Sequence, residues 1–211
     1  MLSPPSYDGL GLVNLIGEIE TRLGGDSPAT RLDTRLAGSI PDASTIVLVL
    51  FDGLGVAQLA HSSAESLKAS HAGTLQAGFP TTTSASLATV ATGMTPSQHG
   101  VIAHLAWMPE HAKVVNTLKW VDLTGNPVEH DYGSLLPRPN LWERLRQAGV
   151  EPITVQPGDF RTSPLTQVLY RGARFEEIWR IEEIVEATIL LAREAGRLIF
   201  TYVPQEDFAG H

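Results

Sequence analysis

Asp52 and Thr83, thirty-one positions apart, are a carboxylate and a hydroxyl of the kinds that group-transfer chemistry uses, and Asp207 and His211 add a second set near the last residue. Asp52 closes the run STIVLVLFDG, Ser44 to Gly53. A short apolar run rich in β-branched residues and ended by Asp-Gly predicts a buried parallel strand opening into a turn. That puts Asp52 at a strand end, where open α/β sheets bind their ligands. Thr83 belongs to FPTTTSASLATVATG, Phe79 to Gly93. Here a small-residue helix is expected from about Ser84 to Thr92, ended by Gly93 and followed by Pro96. Thr83 then sits at the helix N-terminus, where unpaired N–H groups and the positive end of the dipole stabilise an alkoxide or a bound phosphate. An ordinary hydroxyl is a poor nucleophile near neutral pH, and a metal ion can activate it. Asp207 and His211 stand four apart, so both can face one point if the backbone turns between them. Carboxylate oxygen and imidazole nitrogen suit zinc, whereas magnesium rarely takes a histidine. Carboxylates delivered by two strand ends toward a hydroxyl at a helix start fit a two-metal phosphoryl-transfer site, with ions about 4 Å apart. Each piece also has a plainer reading. Asp52 can cap the next helix, Thr81, Thr82 and Thr83 are all cap candidates, and Asp207 with His211 can be a surface pair.

The elements that must position these groups follow from periodicity. Leu12, Val13, Ile16, Ile19 and Leu23 recur at helical spacing before Gly24-Gly25, predicting an amphipathic helix over about 10–23. A connecting arm carrying Pro28, Gly38 and Pro41 runs from Asp26 to Ser44, so 1–43 reads as helix plus arm and 44–211 as the α/β domain portion. A helix is expected over about 56–70, a short strand over 73–79 and a strand over 113–120. PNLWERLRQAG carries a capping box from Asn140 to Glu143. A strand over 150–156, a long amphipathic helix over 175–195 and a buried strand over 197–203 complete the series. Alternating strands and helices predict a mostly parallel sheet with helices on both faces.

Composition narrows the functions. The 211 residues are 43% hydrophobic and 18% charged, enough for one substantial core. A formal net charge of −8 offers no footprint for nucleic acid or an anionic membrane. There are no cysteines, so disulfides and thiolate chemistry are out, and zinc would have to rest on Asp, His and hydroxyl groups. The N-terminus lacks a basic segment followed by a continuous apolar one, and no stretch approaches a membrane span, so a cytoplasmic location is expected. Gly53-Leu54-Gly55 after a strand hints at a dinucleotide turn, but Gln58 occupies the third glycine position and Asp52 would repel a pyrophosphate. No Gly-x-Ser-x-Gly elbow occurs. His61, His71, His111 and His130 read as solvated, and Asp159 and Arg161 as loop residues near the cleft.

DGLG after the first strand, FPTTTSASLATVATGMTPSQHGV, and YVPQEDFAGH together resemble the type I phosphodiesterase/nucleotide pyrophosphatase family of the alkaline phosphatase superfamily. The resemblance implies an alkaline phosphatase-like fold, two zinc ions and a small phosphate ester or nucleotide as substrate. It implies that Asp52 and Thr83 share one zinc, with Thr83 the nucleophile that is transiently modified, and that Asp207 and His211 bind the other. His99-Gly100 matches the family's His-Gly, a structural support. Two departures stand out. His104 occupies the position where diesterases of the family often carry a phosphate-binding Asn, and the family's later Asp-His pair and final zinc-binding His would lie past His211. The expectation is therefore an N-terminal portion with incomplete metal shells; a non-catalytic module of the same fold is the alternative.

Overall fold

The computed structural model describes residues 4–129 and 131–204. In chain order its helices are α1 (Leu12–Arg22), α2 (Thr34–Ala37), α3 (Glu65–Ala69), α4 (Thr83–Thr92), α5 (Pro96–His99), α6 (Leu141–Gln147), α7 (Pro164–Leu169) and α8 (Ile181–Leu191). Its strands are β1 (Thr45–Phe51), β2 (Leu105–Met108), β3 (Lys113–Asn116), β4 (Val121–Asp122), β5 (Glu151–Pro157), β6 (Arg174–Ile178) and β7 (Arg197–Val203). Four strands form a parallel sheet in the order β1-β7-β5-β6, as the alternating pattern requires, while β2-β3-β4 make a small antiparallel sheet.

Side-chain alternation assigns the two faces of the parallel sheet. On β7, Leu198, Phe200 and Tyr202 join the larger core with α1, α4, α6 and α7, whereas Ile199 and Val203 join the smaller core under α8. Trp142 of α6 lies fully buried against Phe200 and Tyr170, and its indole N–H donates to Leu169 O at 2.6 Å. The capping box forms at the start of α6. Glu143 N donates to Asn140 Oδ1 at 2.9 Å, and Asn140 N donates to Glu143 Oε2 at 3.0 Å.

Several expected elements differ. The stretch 73–79 contributes one parallel bridge, Gly11 to Gln76, and no strand. The stretch 56–70 breaks into two 3₁₀ turns and α3, none with a buried residue, because no apolar face of it meets the core. The strand expected over 113–120 stops at Asn116, where the Asn116 side chain accepts from Leu118 N and turns the chain toward β4. The long helix expected over 175–195 is β6 followed by α8. Glu183 Oε2 accepts from Trp179 N at 2.8 Å and Arg180 N at 3.3 Å, so the helix cannot extend back across them. Finally, β1 is parallel as expected but not buried on both faces: Val47, Val49 and Phe51 are 38–41% exposed, since α8 packs over β5, β6 and β7. Among the described residues no helix is long and apolar enough to cross a membrane.

Candidate active site

Asp52 follows β1 immediately, and its N–H continues the ladder by donating to Val203 O at 2.9 Å. Gly53 then turns the chain at φ 74°, a conformation open to glycine at little cost. Asp52 is thereby fixed at the C-terminal edge of the sheet, on the same face as Tyr202. The opposite wall is the start of α4. Thr82 caps that helix, its Oγ1 accepting from Ala85 N at 3.3 Å, and Thr83 is the first helical residue. The N–H groups of Thr83 and Ser84 have no carbonyl of the helix within reach and point outward from the helix start. Gly93, at φ 67°, ends the helix where the sequence placed its stop.

Two hydroxyls meet on one carboxylate oxygen. Thr83 Oγ1 donates to Asp52 Oδ2 at 3.0 Å, and Tyr202 Oη donates to the same oxygen at 2.5 Å. Beside them opens a cavity of about 310 Å³ whose lining includes Asp52, Thr83, His104, Phe160, Tyr170 and Tyr202. His104 is exposed at its rim, and its carbonyl accepts from Thr117 N at 2.8 Å, which ties this segment to the small sheet. Thr82 Oγ1 donates to Ile102 O at 2.7 Å, so the helix cap also tethers the segment that carries His104. Asp159 and Arg161 are exposed and Phe160 between them lines the cavity; Arg161 stacks over Phe175, 5.5 Å from its ring centre.

His99 supports the helix from behind. It is 3% exposed, its Nδ1 accepts from Val101 N at 3.1 Å, and its Nε2 lies 3.2 Å from Thr89 Oγ1. With Nδ1 accepting, the ring's hydrogen resides on Nε2, a neutral tautomer assigned by its partners. Burial pushes its pKa down to about 4. Because the unfolded chain binds this proton up to about pH 6.5, stability rises with pH between 4 and 6.5 and falls on acidification through that window. We expect His99 to contribute on the order of 3 kcal/mol to the stability lost from pH 7 to pH 4, and His99→Gln to flatten the part of that slope above pH 5. Urea unfolding at stepped pH measures it; an equal slope in the variant would remove His99 as the cause.

Asp52, Thr83 and His104 thus come together around one cavity, whereas Asp207 and His211 lie outside the described residues. His130 does too, while His61 and His71 are exposed as expected and His111, expected to be solvated, is half-buried with its Nε2 shielded from solvent. Among the described residues no group of three or more His, Cys, Asp or Glu side chains could hold a metal ion. The two oxygens that do converge fit one edge of a coordination shell, since ligands about 2.0 Å from a tetrahedral zinc lie about 3.3 Å apart. Tyr202, Phe160 and Tyr170 escaped the reading of the sequence. Strand alternation on RLIFTYV was the available signal for Tyr202, since it shares a face with Leu198 and Phe200.

A parallel sheet flanked by helices, with a carboxylate at a strand end facing a hydroxyl at a helix start, agrees with alkaline phosphatase-like architecture. The family model for type I phosphodiesterase / nucleotide pyrophosphatase matches residues 46–211, and the chain belongs to that family. Its members hydrolyse phosphodiester or pyrophosphate bonds of small phosphate esters and nucleotides and are generally metal-dependent. No curated protein matches the sequence.

Proposed function

We propose that this protein hydrolyses phosphate esters through Thr83, with two zinc ions as cofactors. The observation that carries the reading is the 3.0 Å hydrogen bond from Thr83 Oγ1 to Asp52 Oδ2 at the N-terminus of α4. Asp52 and Thr83 would hold one zinc, and Asp207 and His211 would contribute to the other. Bound zinc would supply positive charge that lowers the pKa of the Thr83 hydroxyl and offsets charge on the phosphoryl oxygens. The remaining work falls to the chain. Thr83 Oγ attacks phosphorus, the bond from phosphorus to the leaving oxygen breaks with its electron pair going to that oxygen, and the hydroxyl's proton passes along the hydrogen bond to Asp52 Oδ2 and on to the departing oxygen or solvent, which leaves Asp52 a carboxylate again. The N–H groups of Thr83 and Ser84 face the phosphoryl oxygens, where a helix N-terminus favours negative charge. Water then cleaves the Thr83–phosphorus ester and restores the hydroxyl. The cavity walled by Leu87, Phe160, Leu169, Tyr170 and Tyr202 suits the ester's organic group, and His104 at its rim can donate to a phosphoryl oxygen.

The same reading holds that the metal shells are completed by residues beyond the 211. Support comes from the exposed Val47, Val49 and Phe51 of β1, an apolar sheet face of the sort that packed polypeptide covers. The test compares this chain with the gene product read past His211, each dialysed and then given zinc, on a 4-nitrophenyl phosphodiester and monoester. Little turnover by the shorter chain and zinc-dependent turnover by the longer is expected. A longer product that takes up no zinc and hydrolyses neither ester would favour the non-catalytic module.

A further inference from the structure

Tyr202 donates its hydroxyl at 2.5 Å to Asp52 Oδ2, the oxygen that also accepts from Thr83. Its backbone is held in β7, paired with β1 on one side, and its ring is 6% exposed and tilted against Phe160 at 6.3 Å. A phenol has two side-chain torsions, and burial on a central strand fixes both, so this donor is more rigid than the threonine opposite it. Asp52, by contrast, stands just past a strand end before a glycine turn and is only half-buried. An aspartate so placed needs an outside restraint to keep one oxygen turned toward Thr83.

We propose that Tyr202 is a positioning residue: its hydroxyl locks the Asp52 carboxylate in the rotamer that holds Oδ2 beside Thr83 Oγ1, the two oxygens that would share one cation. This rests on the proposed function, and it assigns a role to a tyrosine that touches neither the reacting phosphorus nor the metal. Groups that orient a metal-ligating carboxylate typically change metal affinity or activity 10–100-fold when removed. Tyr202→Phe keeps the ring, its contact with Phe160 and the apolar wall, and deletes the one donor.

The experiment uses the zinc-competent protein as wild type, Tyr202→Phe and Thr83→Ala. Turnover of a 4-nitrophenyl phosphodiester is read as kcat and KM, zinc affinity by competition with a chromophoric chelator, and the ligand field by cobalt substitution. For Tyr202→Phe we expect kcat to fall roughly 10–100-fold with KM changed less than about threefold, zinc affinity to weaken roughly tenfold, and the cobalt spectrum to shift. A variant with wild-type kcat, zinc affinity and cobalt spectrum would overturn the positioning role while leaving the proposed function standing. Thr83→Ala with wild-type turnover would overturn the proposed function itself, and so would a wild type that neither binds zinc nor turns over; the positioning role falls with it in either case.

Discussion

In the longer, zinc-competent product, Thr83→Ala should lower phosphate-ester turnover by roughly a thousandfold or more while leaving the fold nearly intact and, with zinc in excess, the sites still filled. In the proposed reaction the lost oxygen forms the bond to phosphorus, so its contribution is made in the transition state rather than in the core. The neighbouring threonine supplies the control. Thr82 caps α4 and donates to Ile102 O, and neither contact involves Asp52. Thr82→Ala therefore loses a helix cap worth about 1 kcal/mol and loosens the segment carrying His104, which should cost turnover less than about tenfold. Trapping the covalent intermediate by acid quench and mapping it by mass spectrometry should place the phosphoryl group on Thr83. Equal losses for the two variants, or a group mapped to Thr81 or Thr82, would end the case for Thr83 as nucleophile.

What the sequence reveals of this site depends on how local its causes are. The start of α4 is set by Thr82 and its stop by Gly93, both readable within a few residues. The Asp52 strand end is equally local, because β-branched residues and Asp-Gly mark it. Tyr202 is different: its role exists only because β7 lies next to β1, a pairing of residues about 150 positions apart that no local period encodes. The cavity wall around Phe160 and Tyr170 has the same origin, since it is assembled from the turn after β5 and the end of α7. The helix expected over 175–195 fails for a subtler reason. Phe175 and Ile178 satisfy a helical spacing, yet the parallel edge of β5 captures that stretch, and Glu183 then fixes the break. The two-sheet arrangement also went unseen, because the short strands β2, β3 and β4 carry too few residues to show a period.

The rigidity that holds α4 against the sheet has a separate and testable origin in one buried ion pair. Glu20 of α1 is fully buried, and Arg144 of α6 grips it with two hydrogen bonds, Nε to Oε1 at 2.6 Å and Nη2 to Oε2 at 2.8 Å. The same Nη2 donates to Thr92 O at the C-terminal end of α4, at 2.9 Å, and Nη1 donates to Pro139 O at 2.8 Å. Three helices are thus joined by one guanidinium. Glu20→Ala leaves that charge buried without its counterion, a change that typically costs 3–5 kcal/mol, on the order of half of a domain's total stability. With a urea slope of about 2 kcal/mol per molar, the midpoint should fall by roughly 2 M. The double variant Glu20→Met with Arg144→Met removes both charges and fills much of their volume, and should lie closer to wild type than Glu20→Ala alone, because the desolvation of both ions is removed with their attraction. If the single variant unfolds within about 0.3 M urea of wild type, the pair is not what fastens α1 and α6 to the end of α4.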